Sequence, residues 1–310
     1  MNINIDAFRA AIVDALGHAP DMIEPGTLHR FSTNGRRGDT SGWCKLFDDG
    51  RGGVLGDWRT GVSETWHATD RTMVTPSQRA VFAREGAAAA AEREAQQRAA
   101  WAANEQRIAT MWVECVPLAH GDPVTTYLQR RVLGALRPLP ACLRLHPGLP
   151  YWHDGTKLGT FPAMVAPLTA PDGRMVALHR TYLTPDGRKA DVPEVKKLTG
   201  TAGPLAGACI PLYGPDRGRI GIAEGIETAL AARLGSGVPT VAAYCAGNLA
   251  AWRWPAGVRR LVIFGDSDPK GREAAEALRL RAVASGLYCD VLTPQAEGRD
   301  WADVIAEGVA

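Results

Sequence analysis

The 310-residue sequence has six cysteines but no C-x-x-C pair, because the cysteines are scattered along the chain. Scattered cysteines argue against a disulfide framework and against a cysteine-based zinc site, and they favour a reducing compartment. We therefore expect a cytoplasmic protein that binds no zinc.

Long apolar runs, a large net charge and a nucleotide-binding P-loop are also missing. No run is long enough to span a bilayer, and the first residues, MNINIDAFRAAIVDALG, lack a signal-peptide pattern, so we expect no membrane partner. The net charge is only +2, so any nucleic-acid site must be a local basic surface. The absence of G-x-x-x-x-G-K-[ST] excludes a P-loop ATPase within the sequence.

Composition and patterning change along the chain and predict four segments. Residues 1–76 read as a helix followed by a small β-rich module, and residues 77–117 as an Ala-rich, solvated helical connector. Residues 118–215 mix helix and hairpin signals, and residues 216–310 alternate strands with helices.

The module within residues 27–67 alternates short apolar runs with Gly and Asp turns, which predicts an antiparallel sheet. We expect its tryptophans to form the core: Trp43, Trp58 and Trp66. Its possible metal ligands lack metal-ligand spacing: His29, Cys44 and His67. The module is therefore predicted to be metal-free.

The third segment carries clear boundary signals. Asp122 followed by Pro123 predicts a capped helix start. Two Pro-Asp-Gly triplets in FPAMVAPLTAPDGRMVALHRTYLTPDGRKA predict turns between strands. In the fourth segment, strands such as RIGIA and RRLVIF alternate with helices, which predicts a parallel sheet covered on both faces.

Acidic residues follow three strands of this predicted sheet. Glu224 ends the first strand, Asp266 and Asp268 end the third, and Asp300 and Asp303 follow the fourth. The carboxyl ends of parallel strands meet at one edge, where functional groups gather. Carboxylates held together repel unless a cation neutralises them, and oxygen-only ligands indicate Mg²⁺ or Mn²⁺.

The next acidic residue along the chain is interpreted differently. Glu227 lies in the helix that follows Glu224, and we expect it to be an exposed charge on that helix, with a supporting role at the acidic site as the alternative. A tight turn is the simpler alternative for the aspartates of FGDSDPKG, since Asp, Ser, Pro and Gly all suit turns.

The stretches AEGIETALAA and IFGDSDPKGREAAEAL resemble the two signature motifs of the Toprim domain. This domain is shared by DnaG-type primases, topoisomerases, old-type nucleases and the recombination mediator RecR. The resemblance implies that Glu224 is the general acid/base and that Asp266 and Asp268 are metal ligands. DnaG-type primases commonly carry an aspartate four residues after the glutamate, where this sequence has Thr228.

The preceding segment resembles the N-terminal half of the DnaG-type polymerase core, through TYLQRRVLGALRP, FPAMVAPLTAPDGRMVALHRTYL and KKLTGTAGPLAGACIPLYG. The stretch LHRTYLTPDGRKA is most similar to the corresponding sequence in Toprim primases of phages, plasmids and integrated elements. The resemblance implies an α/β protein: a C-terminal Toprim domain, an α+β primase-core subdomain before it, and the N-terminal β-module. Such primases usually carry a zinc-binding domain at the position of that module, so we expect the metal-free module to serve in template contact or another interaction. It also implies a primase that copies single-stranded DNA into RNA primers from ribonucleoside triphosphates, for replication of a mobile element.

Basic residues upstream of the Toprim motifs are candidates for DNA or nucleotide binding: Arg180, Lys189, Lys196 and Lys197. The resemblance would place Arg180 and Lys197 beside the template or the incoming nucleotide, and solvated surface charge is the alternative. Because a P-loop is missing, any replicative helicase partner must be a separate chain. Two other functions stay open, a non-catalytic DNA-binding recombination mediator and a Toprim nuclease.

Overall fold

A computed structural model describes residues 4–35, 39–58, 60–68, 75–131, 133–136, 138–294, 301 and 304. The chain divides into two compact units, Met1–Ala100 with Trp152–Lys157, and Trp101–Tyr151 with Leu158–Ala310.

The first unit contains a helix packed on a four-stranded sheet. Helix α1 spans Ile5–Leu16 and ends at Gly17, which adopts a left-handed φ of 79°. The sheet has the order β1-β2-β3-β4 with antiparallel pairing, as predicted, and its strands are His29–Phe31, Gly42–Leu46, Gly52–Asp57 and Val62–His67. Phe8 and Ile12 of α1 are fully buried against this sheet.

The expectation for the tryptophans of this sheet is only partly correct. Trp43 is 3% exposed and belongs to the core. Trp66 is half-buried and packs on the core beside Phe8. Trp58 is 45% exposed, so placing it in the core is wrong. Trp58 lies in the turn after β3, where one face of its ring is covered by the Arg30 guanidinium at 5.3 Å.

A long helix, α2, spans Pro76–Glu114 and is exposed along most of its length. It is not purely solvated, however, because Phe82 and Ala89 are buried in the core of the first unit. Ile108, near the other end, is 2% exposed and belongs to a core cluster of the second unit.

The second unit begins with a five-stranded sheet in the order β5-β6-β7-β8-β9. Its strands are Val116–Pro117, Arg144–His153, Thr156–Thr169, Met175–Tyr182 and Lys196–Leu198. Helix α3, Pro123–Arg130, and a short 3-10 helix, Leu133–Ala135, lie between β5 and β6. The predicted cap is confirmed, since the backbone N–H of Thr125 donates to Asp122 Oδ1 at 2.6 Å.

The rest of this unit is a parallel sheet with the order β11-β10-β12-β13, which confirms the predicted α/β class. Its strands are Arg219–Ala223 (β10), Thr240–Ala242 (β11), Arg260–Phe264 (β12) and Tyr288–Leu292 (β13). Its helices are Ile226–Ser236 (α4), Ala246–Ala251 (α5) and Pro269–Ala284 (α6).

Side chains of the parallel strands alternate between two cores, as the period of a strand requires. Ile222 and Ile263 lie in the cluster with α5 and α6, whereas Ala223 and Phe264 lie in the cluster with α4. Both faces of the sheet are therefore covered, which leaves the ends of its strands for function.

The predicted last helix falls largely outside the described residues. Trp301 and Val304 are helical, and Trp301 packs edge-on against Phe264 at 5.4 Å. Asp300 and Asp303, two of the candidate metal ligands, lie outside the described residues. No helix in the described part of the chain is long and apolar enough to cross a bilayer.

Candidate active site at the carboxyl end of the parallel sheet

Three acidic residues follow the carboxyl ends of two adjacent strands. Strands β10 and β12 pair in parallel with Ala223 opposite Phe264. Glu224 directly follows β10, and Asp266 and Asp268 lie in the turn after β12. Because the last residues of the two strands are partners, the three carboxylates share one edge of the sheet, as the sequence predicted. We call this set the carboxylate edge.

The turn that carries the aspartates is fixed by the start of helix α6. The backbone N–H of Gly271 donates to Asp268 Oδ1 at 2.8 Å, so Asp268 is also the N-cap of α6. A Cβ on Gly271 would lie 3.1 Å from both the Cβ and the carbonyl oxygen of Asp266, so a glycine lets the helix approach the turn closely. The Arg272 guanidinium donates to the carbonyl oxygen of Ser267 and closes the turn.

The electrostatics of Glu224 show that the carboxylates act on one another. Burial raises the pKa of Glu224 above its usual value, and repulsion from Asp266 and Asp268 raises it further. A hydrogen bond from the Ala246 N–H and the charge of Lys196 oppose this rise. A carboxylate with a raised pKa is a stronger proton acceptor than an ordinary carboxylate.

The donor set of this edge fits a hard divalent cation. All its side-chain donors are carboxylate oxygens, which Mg²⁺ and Mn²⁺ prefer, and a cation would relieve the repulsion that raises the pKa of Glu224. Within the described residues, no three His, Cys, Asp or Glu side chains are placed to hold a metal by themselves. Mg²⁺ usually binds through one or two carboxylates, water and substrate phosphates, so a three-residue cage is not required.

Beneath this edge lies a buried polar cluster that the sequence did not reveal. Glu227 is 4% exposed, so the expectation of an exposed helix charge is wrong. Its Oε1 accepts a hydrogen bond from the Tyr127 hydroxyl at 2.7 Å, and its Oε2 accepts one from Lys196 Nζ at 2.9 Å. We call Tyr127, Glu227, the neighbouring His179 and the half-exposed Lys196 the buried cluster, after its three buried members.

Glu227 stays ionised in this environment. Burial favours its neutral form, but the charge and hydrogen bond of Lys196 and the hydrogen bond of Tyr127 outweigh burial and lower its pKa to about 2. The pKa of His179 is lowered, which is the effect that burial has on a base. Its pKa falls to about 4 because burial outweighs the attraction of Glu227, and Lys196 and Arg180 add to the fall.

The candidate basic residues divide between the two faces of the β8–β9 pair. Thr181 pairs with Lys196, and Arg180 pairs with Lys197. Since successive residues of a strand alternate in direction, Lys196 lies on the face of the buried cluster, and Arg180 and Lys197 lie on the other.

The other three candidate basic residues differ in their surroundings. Arg180 donates to the Tyr182 hydroxyl at 3.3 Å and to the carbonyl oxygen of Leu198. Lys197 lies 4.3 Å from the centre of the Tyr151 ring. Lys189 is exposed in the loop after the second Pro-Asp-Gly turn. Among the four candidate basic residues, Lys196 is the one whose charge acts on Glu224 of the carboxylate edge.

A strained residue lies at the same edge. Tyr244, two residues past the end of β11, has a φ of 69°, which aromatic side chains rarely adopt. Such conformations cost about 1–3 kcal/mol and concentrate at functional sites. No residue pattern in the sequence indicated this conformation, because strain is a property of the folded backbone.

Two family models match separate parts of the chain. Residues 219–310 match the Toprim domain. Residues 102–209 match a domain of unknown function, DUF7146. No curated protein matches the sequence. The parallel sheet and its carboxylate edge lie within the residues that match the Toprim domain.

Solved structures of primases are similar to part of the chain. A DNA primase domain from Pseudomonas aeruginosa is 18% identical, with 52% of each chain covered and a TM-score of 0.35. The primase fragment of the bacteriophage T7 primase-helicase protein is 16% identical, with 59% of this chain and 65% of that one covered and a TM-score of 0.35. The RNA polymerase domain of Mycobacterium tuberculosis primase DnaG is 17% identical, with 51% and 55% covered and a TM-score of 0.32. The chain spans about half of the length of the first and third of these structures.

Proposed function

We propose that this protein is a DNA primase, a metal-dependent nucleotidyltransferase that joins ribonucleotides on a single-stranded DNA template. The observation that carries the proposal is the carboxylate edge, where Asp266 and Asp268 act with burial to raise the pKa of Glu224. Such an arrangement lowers stability in the folded chain, so it indicates a role in binding or chemistry.

Each residue of the edge has a role in the proposed reaction. The terminal hydroxyl of the growing strand attacks the α-phosphorus of the incoming nucleotide, a P–O bond forms, and pyrophosphate leaves. Glu224 accepts the proton of that hydroxyl, because burial, the largest cause of its raised pKa, persists when a cation offsets the charges of Asp266 and Asp268. Asp266 and Asp268 would hold Mg²⁺ or Mn²⁺, which when bound offsets the negative charge of the phosphate groups.

Lys196 supplies a positive charge that belongs to the chain itself. An ammonium group has three donors. The hydrogen bond to Glu227 uses one, and the remaining donors can bind a phosphate oxygen of the nucleotide. Glu227 thereby positions Lys196 towards the edge. Arg180, Lys189 and Lys197 are proposed to bind DNA or nucleotide farther from the reacting atoms.

The choice of primase among Toprim functions rests on the segment before the Toprim domain. The order of three stretches within residues 126–214 resembles the primase polymerase core: TYLQRRVLGALRP, FPAMVAPLTAPDGRMVALHRTYL and KKLTGTAGPLAGACIPLYG. We further propose that the enzyme serves a phage, plasmid or integrated element, acts in the cytoplasm, and works with a helicase on a separate chain. The division of the chain into four segments, with boundaries after residues 76, 117 and 215, is also proposed.

Primer synthesis on single-stranded DNA with all four ribonucleoside triphosphates tests the proposal. We expect labelled oligoribonucleotides with Mg²⁺ or Mn²⁺, and none from Glu224→Gln. Failure of the wild-type chain to make RNA on a range of templates with either metal would refute the primase. Degradation of the DNA instead would indicate a nuclease, and binding without any product would indicate a non-catalytic mediator.

A further inference from the structure

Arginines gather at the opposite edge of the Toprim sheet, where its strands begin. Arg219 and Arg260 are the first residues of β10 and β12, and Tyr288 is the first residue of β13. Arg217 and Arg259 lie in the turns that lead into β10 and β12. We call these five residues the arginine patch.

Backbone hydrogen bonds hold the patch together. Asp216 and Arg219 exchange both N–H···O bonds, at 3.0 and 2.8 Å, and so close a two-residue turn. The carbonyl oxygen of Gly218, within this turn, accepts from the N–H groups of Arg259 at 2.8 Å and Arg260 at 3.0 Å. The Tyr288 N–H donates to the carbonyl oxygen of Arg259 at 3.0 Å. The arginine backbones are thus fixed by the sheet itself.

The charges of the patch are poorly compensated by the protein. Arg260 forms an ion pair with Asp290 at 2.8 Å. Among the described residues, no carboxylate lies within ion-pair distance of Arg217, Arg219 or Arg259. Neighbouring positive charges repel, and an anion placed between them removes the repulsion. The patch therefore favours a ligand with closely spaced negative charges.

The turn also contains an arginine where the backbone favours another residue. Arg217 has a φ of 48°, and at such positions in a two-residue turn Asn, Asp and Gly are preferred because a longer side chain is strained. The arginine at this position costs conformational energy and brings no ion pair within the described residues in return. Its side chain is exposed beside the other arginines.

The shape of the patch and its aromatic residue narrow the class of ligand. Together with Gly218 and one acidic residue, Asp216, the patch lines an open cleft of about 500 Å³, within the size range of small-molecule sites. Tyr288 is 79% exposed at its rim. Cations interleaved with an exposed aromatic ring are typical of surfaces that bind single-stranded nucleic acid, where the backbone contacts the cations and a base stacks on the ring.

We infer that the arginine patch is a second binding site for single-stranded nucleic acid, remote from the carboxylate edge. Five steps of β10 separate Arg219 from Glu224, which at the rise of a strand is about 16 Å. The site would hold a part of the strand away from the reacting nucleotide. The role of the arginine patch in holding the template rests on the proposed function.

Salt-dependent binding of a labelled single-stranded DNA of about 20 nucleotides, in chelator and without nucleotide, tests the site. The variant is the double change Arg217→Asn and Arg259→Gln, since Asn suits the left-handed turn position and keeps the fold. We expect binding at least about fivefold weaker near 0.1 M salt, and a slope of log affinity against log salt smaller by about 1.4. Tyr288→Ser should weaken binding and leave the slope unchanged, because stacking releases no counterions.

The matched control is Arg98→Gln with Arg279→Gln, two arginines on helices that each pair with a glutamate of their own helix. Equal slopes in the patch and control variants would overturn the inference. A patch variant that loses affinity equally for duplex DNA or polyglutamate, with no effect of Tyr288→Ser, would also overturn it, in favour of a general anion surface or an acidic protein partner. Because binding is measured without catalysis, a wild-type chain that makes no primer would refute the proposed function and leave this result standing.

Discussion

Glu224 and Glu227 are three residues apart, yet they belong to regions with opposite electrostatics. At the carboxylate edge, burial and neighbouring carboxylates raise the pKa of Glu224. In the buried cluster, the Lys196 ammonium and the Tyr127 hydroxyl lower the pKa of Glu227 to about 2, although Glu227 is the more deeply buried. The difference shows that partners can reverse the effect of burial on a carboxylate: Lys196 and Tyr127 outweigh burial at Glu227, whereas Asp266 and Asp268 add to it at Glu224.

Removing a carboxylate from the edge should give the largest effect. We expect Asp266→Asn and Asp268→Asn to lower primer synthesis about 100-fold or more, equivalent to about 3 kcal/mol of transition-state stabilisation. Their melting temperatures in metal-free buffer should be unchanged or higher, because one repelling charge is gone. Activity and calorimetry on the same preparations check both.

The matched control for this prediction is Glu276→Gln, an exposed glutamate on α6 that pairs with Arg279 at 2.7 Å. Asp268→Ala separates the second role of Asp268, since loss of its helix cap should cost about 1 kcal/mol. A sharp loss of stability in Asp266→Asn without metal would mean that the aspartate is a structural turn residue.

In the buried cluster the same kind of change should mainly affect stability. Glu227→Gln keeps the shape but removes the charge that holds Lys196, and we expect a loss of roughly 1–2 kcal/mol in the free energy of unfolding. The half-exposed Lys196 limits the effect. We also expect a raised KM for nucleotides, because Lys196 would lose its position. Urea unfolding measures the free energy, steady-state kinetics measure the KM, and the exposed Glu273→Gln is the control. If Glu227→Gln has the wild-type free energy of unfolding and the wild-type KM, the role of Glu227 is contradicted.

Mild acid should weaken the protein through His179. Its folded pKa of about 4 lies below the ordinary value of 6.5, so the unfolded chain takes up a proton first and stability falls as pH drops from 6.5 towards 4. Between pH 7 and 5 we expect a loss of about 1–2 kcal/mol, which His179→Gln should flatten. Glu227, whose pKa is lowered, loses its stabilising effect only at lower pH, between about pH 4.5 and 2. Glu224, whose pKa is raised, has the opposite effect and favours the folded chain as the pH falls. Equal pH slopes in the wild type and His179→Gln would contradict this assignment.

Lys197 and Arg180 should have smaller effects, since both lie on the face away from the carboxylate edge. We expect Lys197→Gln to weaken DNA binding a few-fold and to lower the salt slope by about 0.7 for one lost phosphate contact. Arg180→Ala should do the same and also destabilise the fold, because Arg180 donates to Tyr182 and Leu198. Salt titrations against the exposed Lys157→Gln decide whether either residue is more than surface charge.

The N-terminal sheet should bind no zinc, which is the smallest expected signal. His29 and Cys44 are directly opposed across β1 and β2, but burial raises the pKa of the Cys44 thiol to about 12, and zinc needs the thiolate. Elemental analysis of chelator-free preparations should therefore find zinc well below one atom per chain. Near-stoichiometric zinc would show that the histidines and Cys44 form a site after all.

Local sequence signals predicted much of the fold because they depend on near neighbours. Asp122 and Pro123 specify a helix start within four residues, and the structure has the cap. Alternating strands and helices after residue 216 predicted the parallel sheet. Trp58 shows the limit of such reasoning, since an aromatic residue in a β-rich segment is 45% exposed at a turn.

The sequence by itself determined where the acidic residues stand along the chain, and hence that Glu224, Asp266 and Asp268 meet at one edge. That inference needs only strand order and direction, because parallel strands end together. Only the tertiary structure decided that Glu227 is buried and that its partner is Lys196, 31 residues away. The pairing of helix α4 with strand β9 depends on how two sheets pack, and neither helical nor strand periodicity encodes that packing.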